Sequence, residues 1–249
     1  MAISLKPVGE QVIVITGASS GIGLATAEMA AEEGAKLILA APSEDALEGF
    51  AARLSRNGAE ALAVDADVGD RAEVEQIALA AIERFGRIDT WVNNAGVTIP
   101  GRLDQASDAD CRRLFETNFW GVVYGSLVAL HHMRAAGGAI INLGSDISDA
   151  AIPLQGMYAA SKQAVKGFTD ALRAEVEDLD GAPVGITLLP IETTDPSQVA
   201  AAILEAAAHH AREGKPKPNG ISKIDTAVAK VLPKVDEKLT AKVANKNGR

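Results

Sequence analysis

The segment Val12-Ile13-Val14-Ile15-Thr16-Gly17-Ala18-Ser19-Ser20-Gly21-Ile22-Gly23 reads as a strand, a glycine turn and the first turn of a helix. The β-branched run at 12–16 has strand character, and apolar residues at helical spacing follow over 22–33. In that order a glycine turn can bring backbone amides against a pyrophosphate at the start of the helix. Three residues separate Gly17 from Gly21, so the spacing is not the G-x-G-x-x-G of the common dinucleotide fingerprint.

Downstream, short β-branched runs alternate with longer helical ones as far as Pro190. Strands are expected at 36–41, 60–65, 88–93, 139–143 and 184–189, and helices at 44–57, 71–85, 108–134 and 157–179. Gly34, Gly58, Gly86 and Gly137 follow four of the helices, where a left-handed residue is wanted. Such alternation builds stacked βαβ units. Six strands suffice for a Rossmann-like, doubly wound parallel sheet in three α/β/α layers. A last helix is expected at 195–212, with Asp195 as N-cap and Pro196 at its first position.

Of the 249 residues, 47% are hydrophobic and 23% charged, which fits one ordinary globular domain, here placed at 1–214. The lone Cys111 excludes an internal disulfide framework and points to a reducing, cytoplasmic compartment. His131, His132, His209 and His210 form two neighbouring pairs without metal-ligand spacing, so no metal is expected. Residues 1–10 do not read as a signal segment, and no run of 18 apolar residues can span a membrane. A net charge of −9 argues against a general nucleic-acid binder. The extension at 215–249 differs, with nine Lys/Arg against three Asp/Glu. It opens on Lys-Pro-Lys-Pro and continues as a stripe of Ile224, Val228, Val231, Val235, Leu239 and Val243, kinked at Pro233. A helix packed on the domain or on a sister subunit is the reading; a membrane-surface helix is its rival.

Further landmarks carry chemistry. Asn93-Asn94-Ala95-Gly96 stands at the C-terminal end of the fourth strand, where open α/β sheets bind ligands. Tyr158-Ala159-Ala160-Ser161-Lys162 lies on a helix, whose period sets phenol and ammonium on one face. A free phenol titrates near ~10, and a neighbouring ammonium is expected to lower that value, fitting it to move a proton to or from an oxygen. Ser145 closes the fifth strand thirteen positions before Tyr158, where its hydroxyl can hold a substrate oxygen; Ser148, past the strand end, is the rival.

Taken in order, these segments, with Asn118 in Phe115-Glu116-Thr117-Asn118-Phe119-Trp120-Gly121, resemble the short-chain dehydrogenase/reductase family over 11–190. The resemblance implies an NAD(P)(H)-dependent oxidoreductase acting on a carbonyl/alcohol pair. It implies Tyr158 as acid/base, Lys162 as its tuner and as a ribose ligand, and Ser145 as the group fixing the substrate oxygen. The carbonyl of Asn118 would hold a water joining Lys162 to solvent. The same resemblance assigns Gly17, Ser19, Ser20, Gly21, Ile22 and Gly23 to the cofactor loop, and Ala95 and Gly96 to close cofactor approach. Asn94 would steady the central sheet beside the cofactor. Asp67 and Val68 match the adenine-contacting pair, Asp67 having a helix cap as its other reading.

An NAD site usually carries an acid at the end of the second strand, and here that position is Ala41. NADP is therefore favoured, NAD remaining possible, with Ser43 as a donor to the phosphate; yet Pro42 and Ser20 stand where relatives carry basic residues. After the sixth strand relatives read Pro-Gly, a threonine and a mobile lid. This chain has Pro190-Ile191-Glu192-Thr193-Thr194 and begins its next helix at Asp195, leaving almost no lid. Pro190, Ile191 and Thr193 are carried over as cofactor contacts. The abruptness favours residues missing between Thr194 and Asp195 over a true deletion. Ile147, Ile152, Leu154 and Met157 make the expected substrate pocket apolar. Apolar surfaces at 119–130 and 165–172, the helices through which relatives commonly dimerise, imply a homodimer or homotetramer. The rival reading is a cofactor-binding regulatory or scaffold protein without turnover.

Overall fold

The first strand forms as expected: β1 (Val12–Thr16) is buried along its whole length. Its neighbours are β2 (Lys36–Ala41) on one edge and β4 (Thr90–Asn93) on the other, both parallel to it. The computed structural model describes residues 5–42, 44–145, 153–177, 184–191, 193 and 195–209. Within them β3 (Glu60–Asp65) lies outside β2, while β5 (Gly138–Leu143) and β6 (Val184–Leu189) follow β4. The order is β3-β2-β1-β4-β5-β6, all parallel, as in a doubly wound sheet. The order reverses between β1 and β4. Beyond their carboxyl ends such a sheet opens a crevice.

Strand pleating sends alternate side chains to opposite faces, so each strand feeds two cores. Ile13, Ile15, Leu37, Leu39, Ile141 and Leu143 join α1 (Gly21–Glu32), α2 (Glu44–Arg56) and α7 (Pro196–Ala208). Val14, Ile38, Ala40, Trp91 and Ile140 face α3 (Arg71–Phe85), α5 (Gly121–Met133) and α6 (Gly156–Glu177). Fully burying one such aliphatic side chain contributes about 1.5–3 kcal/mol, so the central strands anchor the domain. Helix stops follow the expected chemistry: Gly86 ends α3 at φ 77° with its N–H on Ile82 O, and Gly34, Gly58 and Gly137 also have positive φ.

Several boundaries differ from expectation. β4 starts at Thr90 rather than 88, because the Asp89 carboxylate accepts from Lys6, from Arg87 Nε (2.8 Å) and from the Val12 N–H (2.8 Å). β5 starts one residue early, at Gly138. The helix expected over 108–134 is three pieces: α4 (Asp108–Phe115), a π turn at Glu116–Trp120, and α5. Asp195 caps α7 as foreseen, accepting from the Ser197 N–H at 3.0 Å. Its own N–H donates to Thr193 Oγ1 at 3.2 Å. α7 ends at Ala208, with His209 extended as its C-cap, short of the 212 expected. The Thr194–Asp195 bond and the whole 215–249 extension lie outside the described residues.

Candidate active site

The glycine turn and the Asn93–Gly96 loop meet at the switch point, one hydroxyl joining them. Thr16 Oγ1 donates to Val92 O (3.2 Å) and accepts from the N–H groups of Asn94 and Ala95, each at 3.1 Å. The Asn94 amide answers by donating to Thr16 O (2.8 Å) and Gly17 O (3.1 Å), tying β4 to β1. A Cβ on Gly17 would stand 2.7 Å from Ala95 Cα, and one on Gly23 would stand 2.3 Å from Gly17 O, so neither position admits a side chain. Gly21 differs. Its Cβ would meet nothing within 4 Å, and its φ of 54° alone asks for glycine. Ser20 is the extended N-cap of α1 with no side-chain cap bond, so the first-turn N–H groups face outward without a hydroxyl across them. Ser19 and Ile22 flank this mouth, half-buried.

Ser145 lies two residues past β5 and Tyr158 is in the first turn of α6, with the Ser145 hydroxyl near enough to act on the phenol. Burial pushes the Tyr158 phenol above its ordinary value, and the Ser145 hydroxyl only partly opposes this. One turn on, Lys162 is 4% exposed and donates from Nζ to Leu143 O at 2.9 Å. Burial pulls its ammonium down to about 8. Nζ lies 5.9 Å from the Tyr158 ring centroid. The expected lowering of the phenol by the ammonium is thus corrected: here the ammonium is spent on a carbonyl, and desolvation dominates at the phenol.

Asn118 sits fully buried inside the π turn. Its amide donates to Val97 O (2.9 Å) and Ser161 Oγ (3.2 Å), and its Oδ1 accepts from the Val97 N–H (2.7 Å). Ser161 in turn donates to Tyr158 O (2.7 Å). Asn118 therefore clamps the loop after Gly96 to the helix carrying Tyr158 and Lys162. A Cβ on Gly96 would lie 4.0 Å from Lys162 Nζ, which brings the two segments within van der Waals reach. Inserted π turns recur at functional sites because they re-aim one side chain. Ser161 was not singled out in the sequence; lying three residues after Tyr158, it had only helical spacing as a signal.

The other expected residues are spread around the same mouth. Ala41 ends β2, buried, with Pro42 exposed after it and Asp65 its register partner on β3. Asp67 does not cap α3; that is Asp70, which accepts from the N–H groups of Ala72 (2.7 Å) and Glu73 (3.4 Å). Asp67 instead closes a turn by accepting from the Gly69 N–H at 2.8 Å. Val68 is buried against Gly121. Pro190 is half-buried, Ile191 packs against the α1/α7 core, and Thr193 Oγ1 is taken by Asp195. Ser43, Ile147, Ser148 and Ile152 lie outside the described residues. Leu154 and Met157 line a cavity of about 280 Å³ with Ile99, Pro100 and Leu114. Leu154 holds φ 68°, an uncommon conformation for a branched residue, and its carbonyl accepts from the Gly101 N–H at 3.0 Å. Among the described residues no group of side chains could hold a metal, and no helix is long and apolar enough to cross a membrane.

Comparison with known proteins agrees with this fold. The family model for short chain dehydrogenase matches residues 11–208. The uncharacterized oxidoreductase YxnA of Bacillus subtilis (strain 168) is 48% identical over 189 residues, covering 75% of this chain. That match covers 53% of YxnA, so the chain spans about half that protein's length. Among solved structures, a short chain dehydrogenase/reductase from Burkholderia phymatum in complex with NAD is 29% identical, with a TM-score of 0.77 over 85% of this chain and 91% of that one. A metagenomic short-chain oxidoreductase in complex with NADP is 27% identical, with a TM-score of 0.74 over 84% and 93%. The chain belongs to the short-chain dehydrogenase/reductase family of oxidoreductases.

Proposed function

We propose that the protein is an NAD(P)(H)-dependent oxidoreductase interconverting a carbonyl and an alcohol, with Tyr158 as the proton-transferring group. The observation that carries this is the convergence of Ser145, Tyr158, Lys162 and Asn118 at the carboxyl ends of β4 and β5. When bound, the nicotinamide supplies or accepts the hydride. The residues fit such a cofactor: Gly17 and Gly23 leave no room for side chains, Gly21 faces open space, and the start of α1 offers uncapped amides to a pyrophosphate. The chain's own residues do the rest. Ser145 holds the substrate oxygen, and Tyr158, beside it, passes a proton to that oxygen or takes one back. Lys162, released from Leu143 O toward ribose hydroxyls, brings its charge beside the phenol and favours the phenolate. The peptide carbonyl of Asn118 carries the water that returns protons from solvent. Leu154 and Met157, with Ile99 and Leu114, form the apolar side of a cavity that Arg102, Gln105, Ser107 and Asp110 also line; an apolar ketone or alcohol remains the class expected from the sequence.

NADP(H) is preferred by a modest margin, since Ala41 cannot reject a 2′-phosphate. Asp65 stands beside it in the sheet and keeps the margin small. The domain at 1–214 carries this activity as a homo-oligomer in a reducing, cytoplasmic compartment, with 215–249 as an accessory extension. One observation favours a second reading, a cofactor-binding protein without turnover: few residues separate the end of β6 at Leu189 from the start of α7 at Pro196, which leaves little chain to cover a substrate. Absorbance at the nicotinamide band with NADPH and a panel of apolar ketones and aldehydes separates them. Turnover is expected. Tyr158→Phe should remove nearly all of it while NADPH binding persists; binding with no turnover across the panel would favour the second reading, and an active Tyr158→Phe would place the proton donor elsewhere.

A further inference from the structure

Behind the site lies a chain of buried polar side chains that the chemistry above does not use. Trp91 Nε1 donates to Asn93 Oδ1 (2.8 Å), and the Asn93 amide donates to Asn142 Oδ1 (2.8 Å) and Ser126 Oγ (3.1 Å). Ser126 Oγ donates to Asn142 Oδ1 (3.2 Å), and the Asn142 amide donates to Thr169 Oγ1 (3.0 Å), which donates to Val165 O (2.7 Å). Asn93, Ser126, Asn142 and Thr169 are all buried, and they come from β4, α5, β5 and α6 respectively. The space is made by Gly125, whose Cβ would stand 2.1 Å from Asn93 Oδ1.

Thr169 lies seven residues after Lys162 and eleven after Tyr158, on the same helical face. Asn142 precedes Leu143, the carbonyl that holds Lys162, and lies three residues before Ser145, the partner of Tyr158. Strand β5 and the residues just past it thus meet α6 at three polar points, while further along the helix Arg173 Nε donates to Ile186 O of β6 at 2.9 Å. Two of them, at Lys162 and Tyr158, must change partners during turnover. The third takes no part in chemistry. Apolar packing resists a slide of the helix along the strand only weakly, because it is non-directional, whereas a fully satisfied buried hydrogen bond has one register.

We propose that the Asn142–Thr169 hydrogen bond sets the register of α6 on β5 and so holds Tyr158 and Lys162 in working position when their own bonds are exchanged. Thr169 and Asn142 are positioning residues, and the role rests on the reading of Tyr158 and Lys162 given above. At the other end, Asn93 adjoins Asn94, whose amide holds Thr16 O and Gly17 O, so one buried run joins the glycine turn to the helix.

The test compares Thr169→Val, which deletes the hydroxyl at constant shape, with Thr169→Ser, which restores it. Thr90→Val is the control. It removes another buried hydroxyl, one that donates to Gln11 Oε1 (2.6 Å) at the far end of β4. Two readouts are taken well below the melting temperature: the NMR titration of the Lys162 amine in the cofactor-free protein, and kcat for NADPH-dependent reduction of acetophenone. Thr169→Val is expected to move the Lys162 midpoint away from about 8 and to lower kcat about 10- to 100-fold, the scale of an ångström of misplacement. Thr169→Ser should return both, and Thr90→Val should lose stability while changing neither. If Thr169→Val leaves the midpoint and kcat unchanged, or if Thr90→Val reproduces its effects at equal loss of stability, the proposal is overturned. Should Thr169→Val not fold, Thr169→Ala is read in its place. Wild type inactive on every ketone would overturn the oxidoreductase reading, while the Lys162 titration still decides the positioning role.

Discussion

Lys162 keeps an ammonium where Leu143 O is the acceptor found for it, and burial holds its titration at about 8 instead of 10.5. Between those values the folded protein binds fewer protons at this position than the unfolded chain, so stability rises with pH across the window. Below 8 both states are charged and the cost of burial is felt in full, on the order of 3 kcal/mol from the size of the shift. Lys162→Met in the cofactor-free protein should therefore gain stability relative to wild type at pH 7, less what the unpartnered Leu143 carbonyl costs, and the gain should shrink as pH rises from 8 toward 10.5. The same variant should lose both NADPH affinity and turnover. Melting temperatures of the two proteins measured across that range check the sign; a constant difference would mean that Lys162 is not desolvated. Such residue-level physics was only half legible in the sequence. The spacing of Tyr158 and Lys162 showed a shared face, but not that a strand carbonyl would claim the ammonium and leave the phenol raised.

At the scale of elements, the tip of β2 carries the cofactor expectation. Ala41 is buried and paired with Asp65, and no carboxylate occupies position 41 itself. Ala41→Asp should reverse the order of affinities from NADPH first to NADH first, because a carboxylate there accepts from a ribose diol and repels a phosphate. Fluorescence titration with both cofactors decides it, and tighter binding of NADH by the unmodified protein would overturn the expectation. The six strands were legible because each is a short apolar stretch, β-branched most densely in β1, set between helical patterns, and the glycine stops at 34, 58, 86 and 137 mark helix ends by their positive φ. The π turn at Asn118 was not. One inserted residue leaves the apolar spacing of 108–134 almost unchanged, so periodicity reads a single helix. Nor was the start of β4, which is set by Asp89 and partners as distant in sequence as Lys6. The buried run from Trp91 to Thr169 escaped for the same reason: an asparagine in a strand pattern gives no sign of which helix will answer it.

At the scale of the whole molecule, the described residues leave an apolar stripe exposed on α5 and the π turn before it. Trp120 is 41% exposed and stacks on Tyr124 at 5.7 Å between ring centroids, and Leu127, 38% exposed, continues the stripe one turn further. These positions share a helical face, and Phe119 joins them to Phe168 of α6 through an edge-on contact at 6.3 Å. On the inner face Val128, Ala129 and Met133 are already buried against the sheet. The helix therefore has apolar residues on two sides, while one domain can cover only one of them. Large aromatic residues in a contiguous exposed stripe are what protein interfaces concentrate at their centre. A second copy of the chain, turned about a two-fold axis, would set the same stripe against itself, the arrangement most homodimers use. Light scattering at micromolar concentration should give at least twice the 25.8 kDa of one chain. Trp120→Glu combined with Leu127→Glu should return the mass to that of one chain without unfolding it, since both side chains project from the covered core. A monomeric mass for the unmodified protein would mean that this stripe serves another purpose.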